Sequence, residues 1–251
     1  MNHESKIKQN KISCWSVLQI LAYLTMLIDH IAASYEFKGY YDGQPLYEIM
    51  RGIGRIAFPL FLIFLVNGFQ RTSNKSKYFI RIFIFAIISE VPFDLCMFNK
   101  LNWGHQNVGF ELIVCFLALL LTEKFIITDR KFLITNICFV VGISLLFGII
   151  AIFGNFDYQY IGIPIVLILY FCIKKWNIPI WIQYTIAIAL LCLFDKSEIA
   201  GIIAIPIIFF IEKFFKGDNA LVKNKQISKI IRYGFYPVHL IVIWIITTFL
   251  I

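Results

Sequence analysis

An acid and an imidazole stand side by side in Ile28-Asp29-His30-Ile31, near the far end of the apolar run CWSVLQILAYLTMLIDHIAASY, from Cys14 to Tyr35. Ionisable side chains inside an apolar span are costly in lipid; where they occur they face the bundle interior and mark a site. Imidazole takes and returns a proton near neutral pH, so this pair suggests a reaction site, the plainer reading of His30 being a buried neutral imidazole satisfied by a neighbour. The next two runs carry a matching load. Arg51 and Arg55 open the second, Glu90 and Asp94 close the third, and Asn107 and Glu111 open the fourth. The arginine pair and the Glu90/Asp94 pair are each spaced i, i+4, so each lies on one helix face. Antiparallel neighbours would set two guanidiniums against two carboxylates, and the plainest reading of that quartet is a set of ion pairs that fixes helix register. Asp29 points about 100° away from His30 around a helix, so it can serve a different partner.

The elements that must position these groups follow from composition. Of 251 residues, 60% are hydrophobic and only 15% charged, with a mean hydropathy of +0.79. Globular soluble chains carry about 25% charged residues. An all-α polytopic membrane protein is therefore expected, forming a single integral membrane domain over residues 1–251. A span needs about 20 apolar residues. Nine runs qualify: 14–35, 49–70, 78–98, 107–125, 132–153, 158–173, 178–194, 198–215 and 233–251. They must be helices if they span, because an open strand leaves backbone groups unpaired in lipid. Pro59, Pro92, Pro164, Pro206 and Pro237 are expected to kink them. The polar, basic start lacks a small-residue cleavage site, so the first run reads as a retained span.

The net charge of +8 is distributed by connection. The N-terminus and the links after the second, fourth, sixth and eighth runs hold 18 of the 23 Lys and Arg. The alternate links hold Lys38, Lys100 and Lys196 among Glu36, Asp42, Glu48, Asp157, Asp195 and Glu198. By the positive-inside rule the N-terminus is cytoplasmic and the C-terminus outside. The basic loops then face anionic lipid heads. A nucleic-acid partner is excluded, because no basic patch is interleaved with exposed aromatics on a soluble surface.

Depth places Asp29, His30, Arg51, Arg55, Glu90, Asp94 and Asn107 in one outer layer. A sparser inner set comprises Asn67, Tyr233, Tyr236 and His239. Counted from Tyr233, His239 lies about two turns into the membrane. His30 and His239 are the only histidines within spans, at opposite depths, which speaks against a shared metal site. The six cysteines form no C-x-x-C pair or metal spacing and read as packing residues. No metal is expected. Nucleophile-elbow and phosphate-loop motifs are absent.

IDHIA (28–32), GIGRIAFPLFLIFLVNGFQRTSNKSKY (52–78), RIFIFAIISEVPFDL (81–95) and QNVGFEL (106–112) together resemble the core of the TraX family. FDYQYIGIPIVLILY and YGFYPVHL are similar to its later motifs. The chain departs from the family at Asn67, where Glu is common, and at Glu111-Leu112, where Thr-Leu is. The resemblance implies a membrane-embedded acetyltransferase of the bacterial cytoplasmic membrane, related to pilin N-acetylation. Acetyl-CoA would be the acyl donor. An amine or hydroxyl of a peptide, glycan or lipid at the outer face would be the acceptor. His30 would then be the general base. Arg55 and Asn107 would stabilise the oxyanion, and Glu90 and Asp94 would hold the arginines. Arg71, Lys75, Lys77 and Arg232 would bind CoA phosphates. His239 and Tyr236, with Asn67 at the inner end, would line the pantetheine path. The alternative is a non-catalytic envelope or pilus-assembly protein, or a small-solute carrier. The lack of doubled halves weighs against the carrier.

Overall fold

The computed structural model describes residues 12–39, 44–126, 133–217 and 225–249. The expected basic positions Lys6, Lys8, Lys11, Arg130, Lys131 and Lys223 lie outside them. Among the described residues the fold is all helical, with no strand. In chain order the helices are α1 (Cys14–Phe37), α2 (Pro45–Gly54), α3 (Ala57–Arg71), α4 (Lys75–Phe98), α5 (Val108–Phe125), α6 (Leu133–Phe153), α7 (Gly162–Trp176), α8 (Ile180–Phe194), a 3-10 segment (Lys196–Ile203), α9 (Ala204–Phe214) and α10 (Lys225–Phe249). Four stretches are long and apolar enough to cross a membrane: 14–36, 45–71, 134–153 and 230–249.

Local chemistry sets the ends. Asn74 opens α4 by accepting the Lys77 N–H, and Asn99, in the left-handed region at φ 55°, closes it. Asn107 opens α5 by accepting the Gly109 N–H at 2.8 Å. Asp195 opens the 3-10 segment through the Ser197 N–H at 2.8 Å, and that bond holds its carboxyl below the ordinary carboxylate range. Of the five prolines expected to kink helices, only Pro92 and Pro237 lie in helix interiors. Pro59, Pro164 and Pro206 sit in the first turns of α3, α7 and α9, where no backbone N–H is needed. The second apolar run breaks at Arg55-Ile56, between α2 and α3. The eighth begins as the 3-10 segment rather than as a helix from 198.

The first and last helices run parallel and in register. Tyr23 bonds to the Arg232 carbonyl, His30 to His239 and Lys38 to Thr247, each pair 209 residues apart. A constant offset over four turns requires that α1 and α10 point the same way. Besides this pairing, α10 packs on α4, and α1 on α2, α3 and α4. Leu60, Ile63, Phe69, Phe116 and Tyr170 fill the centre. Isoleucine-rich faces of α4 (Ile80, Ile84, Ile87), α6 and α10 are left exposed, as expected for surfaces solvated by lipid.

Candidate functional site

Each acid–base group is placed by the helix that carries it. On α1, Asp29 turns toward α2 and accepts the Arg51 Nη1–H at 2.7 Å. Gly54 makes that approach possible, since a Cβ there would land on the Asp29 carboxylate. Arg51 also lies 3.8 Å from Glu36. His30 turns the other way, toward α10. Its Nδ1 is 2.6 Å from His239 Nε2, and His239 Nδ1 is 2.7 Å from the Phe235 carbonyl. The two imidazoles are parallel within 2°, with centroids 4.9 Å apart. Two rings stacked face to face could not bring nitrogens within 2.6 Å, so they lie edge to edge in nearly one plane. Tyr236 stands edge-on to both, at 5.4 and 5.6 Å.

A cavity of about 480 Å³ opens at this end of the bundle. Asp29, His30, Arg51 and Arg55 line it, together with His105, Asp157, Tyr158 and Glu198. Arg55 Nη1 is 3.1 Å from Glu198 Oε1, and the guanidinium also bonds the Tyr158 hydroxyl. Tyr158 in turn stacks on Phe58 at 3.5 Å. Arg55 is thus held against the cavity wall by one carboxylate and one phenol.

A second cavity, of about 520 Å³, opens at the opposite end. Arg71, Arg81 and Arg232 line it with Trp15, Tyr78 and Tyr233, and Asn67 lies within it. Arg71 sits over the Trp15 ring at 4.8 Å. Between the cavities lies an aromatic layer. Tyr23 stacks on Phe235 at 4.9 Å, Phe235 on His239 at 5.0 Å, and Phe85 meets Tyr236 at 5.4 Å. The histidine pair therefore stands where the aromatic layer meets the first cavity.

With this geometry in hand, comparison with known proteins decides the family. Residues 15–247 match the family model TraX, described as TraX protein. The chain belongs to the TraX family. A probable fimbrial assembly protein FimC, serogroup H1, from Dichelobacter nodosus is 33% identical to it over 112 residues, covering 41% of this chain and 44% of that protein. The chain thus matches less than half the length of that relative. No solved structure matches the chain.

Several expected roles are corrected in this TraX-family chain. His30 and His239 are not at opposite depths. Because α10 begins at Lys225 rather than Tyr233, His239 lies about 21 Å along it, and His30 about 24 Å along the parallel α1. His239 and Tyr236 therefore belong to the His30 layer, and neither lines the Arg71 cavity. The arginine–carboxylate quartet does not form. Arg51 and Arg55 pair with Asp29 and Glu198, while Glu90 and Asp94 face the loop before α5. Asp94 accepts the Asn102 N–H at 2.8 Å. Glu90 accepts the backbone N–H of Asn107 at 3.1 Å and its side-chain amide. Asn107 is fully buried and also donates to the Ala86 carbonyl, so it fastens α5 to α4 and does not face the cavity.

Lys75 pairs with Glu123, and neither Lys75 nor Lys77 lines the Arg71 cavity. Asn67 donates to Gln183 at 2.8 Å. Sequence reasoning missed Glu198 and His105, which read as loop residues, and Arg81, whose place nearly two turns into α4 on the wall of the Arg71 cavity has no local signature. Among the described residues no group of His, Cys, Asp and Glu is arranged to hold a metal ion.

Replacing Asn107 by Ala removes the α5 cap and the side-chain bonds to Glu90 and the Ala86 carbonyl, leaving the buried Glu90 oxygen only the backbone N–H of residue 107. Thermal unfolding in detergent should show a loss of about 1–3 kcal/mol. A melt superimposable on the parent's would exclude this fastening role.

Proposed function

We propose that this protein is a membrane-embedded acetyltransferase that acts on an amine or hydroxyl acceptor at the cell envelope. The observation that carries the reading is the position of His30, a buried imidazole at the boundary between a cationic aromatic cavity and a polar cavity at the other end of the bundle. The Arg71 cavity fits the chemistry of acetyl-CoA: three guanidiniums suit its phosphates, and Trp15 and Tyr78 suit its adenine. Acetyl-CoA supplies an activated acetyl thioester. Arg71, Arg81 and Arg232 would bind and orient it, and the aromatic layer keeps bulk water from the reacting centre. His30 takes the proton that the acceptor must lose as the new bond forms. Arg55, fixed by Glu198 and Tyr158, is a preorganised cation for the developing oxyanion. Asp29 keeps Arg51 neutralised beside it.

The orientation belongs to the same reading. The Arg71 end faces the cytoplasm, where the basic links lie, and the acceptor cavity faces outward. Nine crossings, with the N-terminus inside and the C-terminus outside, agree with parallel α1 and α10. In a bacterium the site would lie in the cytoplasmic membrane, with an envelope peptide, glycan or lipid as acceptor. A second reading, a non-catalytic assembly component, is favoured by the description of the Dichelobacter nodosus relative as a probable fimbrial assembly protein.

Three measurements test these statements. Cysteines placed at Asn2 and Ile251 should be modified from opposite sides of intact cells; modification from one side means a miscounted span. Inverted membrane vesicles given isotope-labelled acetyl-CoA should label an envelope component, and His30→Ala should cut that transfer by about 10²–10⁴. No labelling by the parent protein favours the assembly reading. Finally, Arg71→Gln, Arg81→Gln and Arg232→Gln together should weaken acetyl-CoA binding by roughly tenfold or more at low salt. Lys75→Gln with Lys77→Gln should leave it unchanged, and the reverse ranking would move the phosphate site to those lysines.

A further inference from the structure

We infer that His239 is a positioning residue that fixes His30 in one tautomer, with its proton on Nδ1 and its lone pair on Nε2. The inference rests on the acetyltransferase reading for its use but not for its geometry. A carbonyl oxygen only accepts, so the 2.7 Å contact between His239 Nδ1 and the Phe235 carbonyl requires a proton on that nitrogen. A neutral imidazole carries one N–H, so His239 Nε2 is left as an acceptor. Across the 2.6 Å contact His30 Nδ1 must then donate. The remaining nitrogen, His30 Nε2, holds a lone pair, and His30 lines the polar cavity.

The alternatives are poorer. With a second proton on His239, both its nitrogens donate, and His30 Nδ1 must accept. Its own proton then sits on Nε2, and the base is lost. Two imidazoliums would set N–H against N–H at 2.6 Å. The pair therefore holds one added proton at most, and only His30 Nε2 can take it. Side chains of α10 lock this arrangement. His30 is 8% exposed and His239 6%, Tyr236 closes one edge of both rings, and Phe235 lies against His239.

The hydrogen-bond chain also ends at a carbonyl, which passes no proton onward. A proton taken by His30 Nε2 must leave from that same nitrogen. Acetyl transfer then balances within the site. The acceptor N–H or O–H loses its proton to His30, the bond from acceptor to acetyl carbon forms, and the carbon–sulfur bond breaks. The departing thiolate recovers the proton. His239 contributes orientation and shared charge and makes no contact with the acceptor in this scheme.

The test uses the full chain in detergent, labelled with ¹⁵N-histidine, with His3→Gln, His105→Gln and His239→Gln spectra for assignment of the four histidines. At neutral pH His30 should show a protonated Nδ1 and an unprotonated Nε2, with a through-bond coupling from His30 Nδ1 to His239 Nε2. A proton on His30 Nε2, or no coupling, overturns the inference whatever the activity. In turnover, His239→Leu should lower kcat by roughly a hundredfold or more with KM for acetyl-CoA unchanged. His239→Gln, whose amide oxygen can accept from His30, should recover much of that loss. If both variants lose activity only in proportion to their thermal stability, His239 is structural and the inference fails. If the tautomer is as stated and the parent protein transfers no acetyl group, the acetyltransferase reading fails and the tautomer assignment stands.

Discussion

The parallel, in-register contact between α1 and α10 is the constraint on which the rest of the bundle depends. Apolar surface gives little drive to associate helices in lipid, so packing and a few interhelical hydrogen bonds fix their register. Here one bond lies at each level: Tyr23 in the wall of the Arg71 cavity, His30 in the wall of the polar cavity and Lys38 at the C-terminal end of α1. Sliding either helix by one residue would break all three. The same pairing brings a histidine from the end of the chain to one near its beginning, and it places α10 against α4, where Tyr236 and Phe85 close the layer between the cavities.

The two arginines of the second span show how charge is managed around this frame. Each has its own acid from a different part of the chain, Asp29 for Arg51 and Glu198 for Arg55. Glu198 is the buried member of the four, so losing Arg55 would leave a bare buried carboxylate and cost more than replacing both partners. Separate partners also let the two cations differ in role. Arg51 is shared between Asp29 and Glu36. Arg55 is held in place by a carboxylate and a hydroxyl yet lines the cavity.

Much of the layer could be read from residue order, because helical rise converts position into depth. Asp29, His30, Arg51 and Arg55 share a cavity as that arithmetic expected, and Asp29 and His30 serve different partners because neighbours on a helix diverge. Pairing was not legible. The i, i+4 spacing of Glu90 and Asp94 says that they share a face but not which neighbour meets it, and they meet the α4–α5 loop. His239 was misplaced for a different reason. Lys225 and Lys229 read as loop, whereas helix begins among them, and the missing eight residues shift the depth by about 12 Å. Glu198 and His105 were passed over because residues between apolar runs were taken as solvent-facing links.

The separations along the chain at Asp29 and His30 also set an order of assembly during synthesis. Asp29 finds Arg51 only 22 residues later, whereas His30 waits 209 residues for His239. At roughly 5–20 residues per second, that wait is about 10–40 s on the ribosome. A carboxylate left unpaired in lipid for that time would be a heavy penalty at the translocon, while a neutral imidazole can be tolerated. The chain thus supplies the early partner to the group that cannot wait. The histidine pair closes only when the last helix has been made, so a truncated nascent chain carries the arginine-bound carboxylate with His30 still lacking its partner.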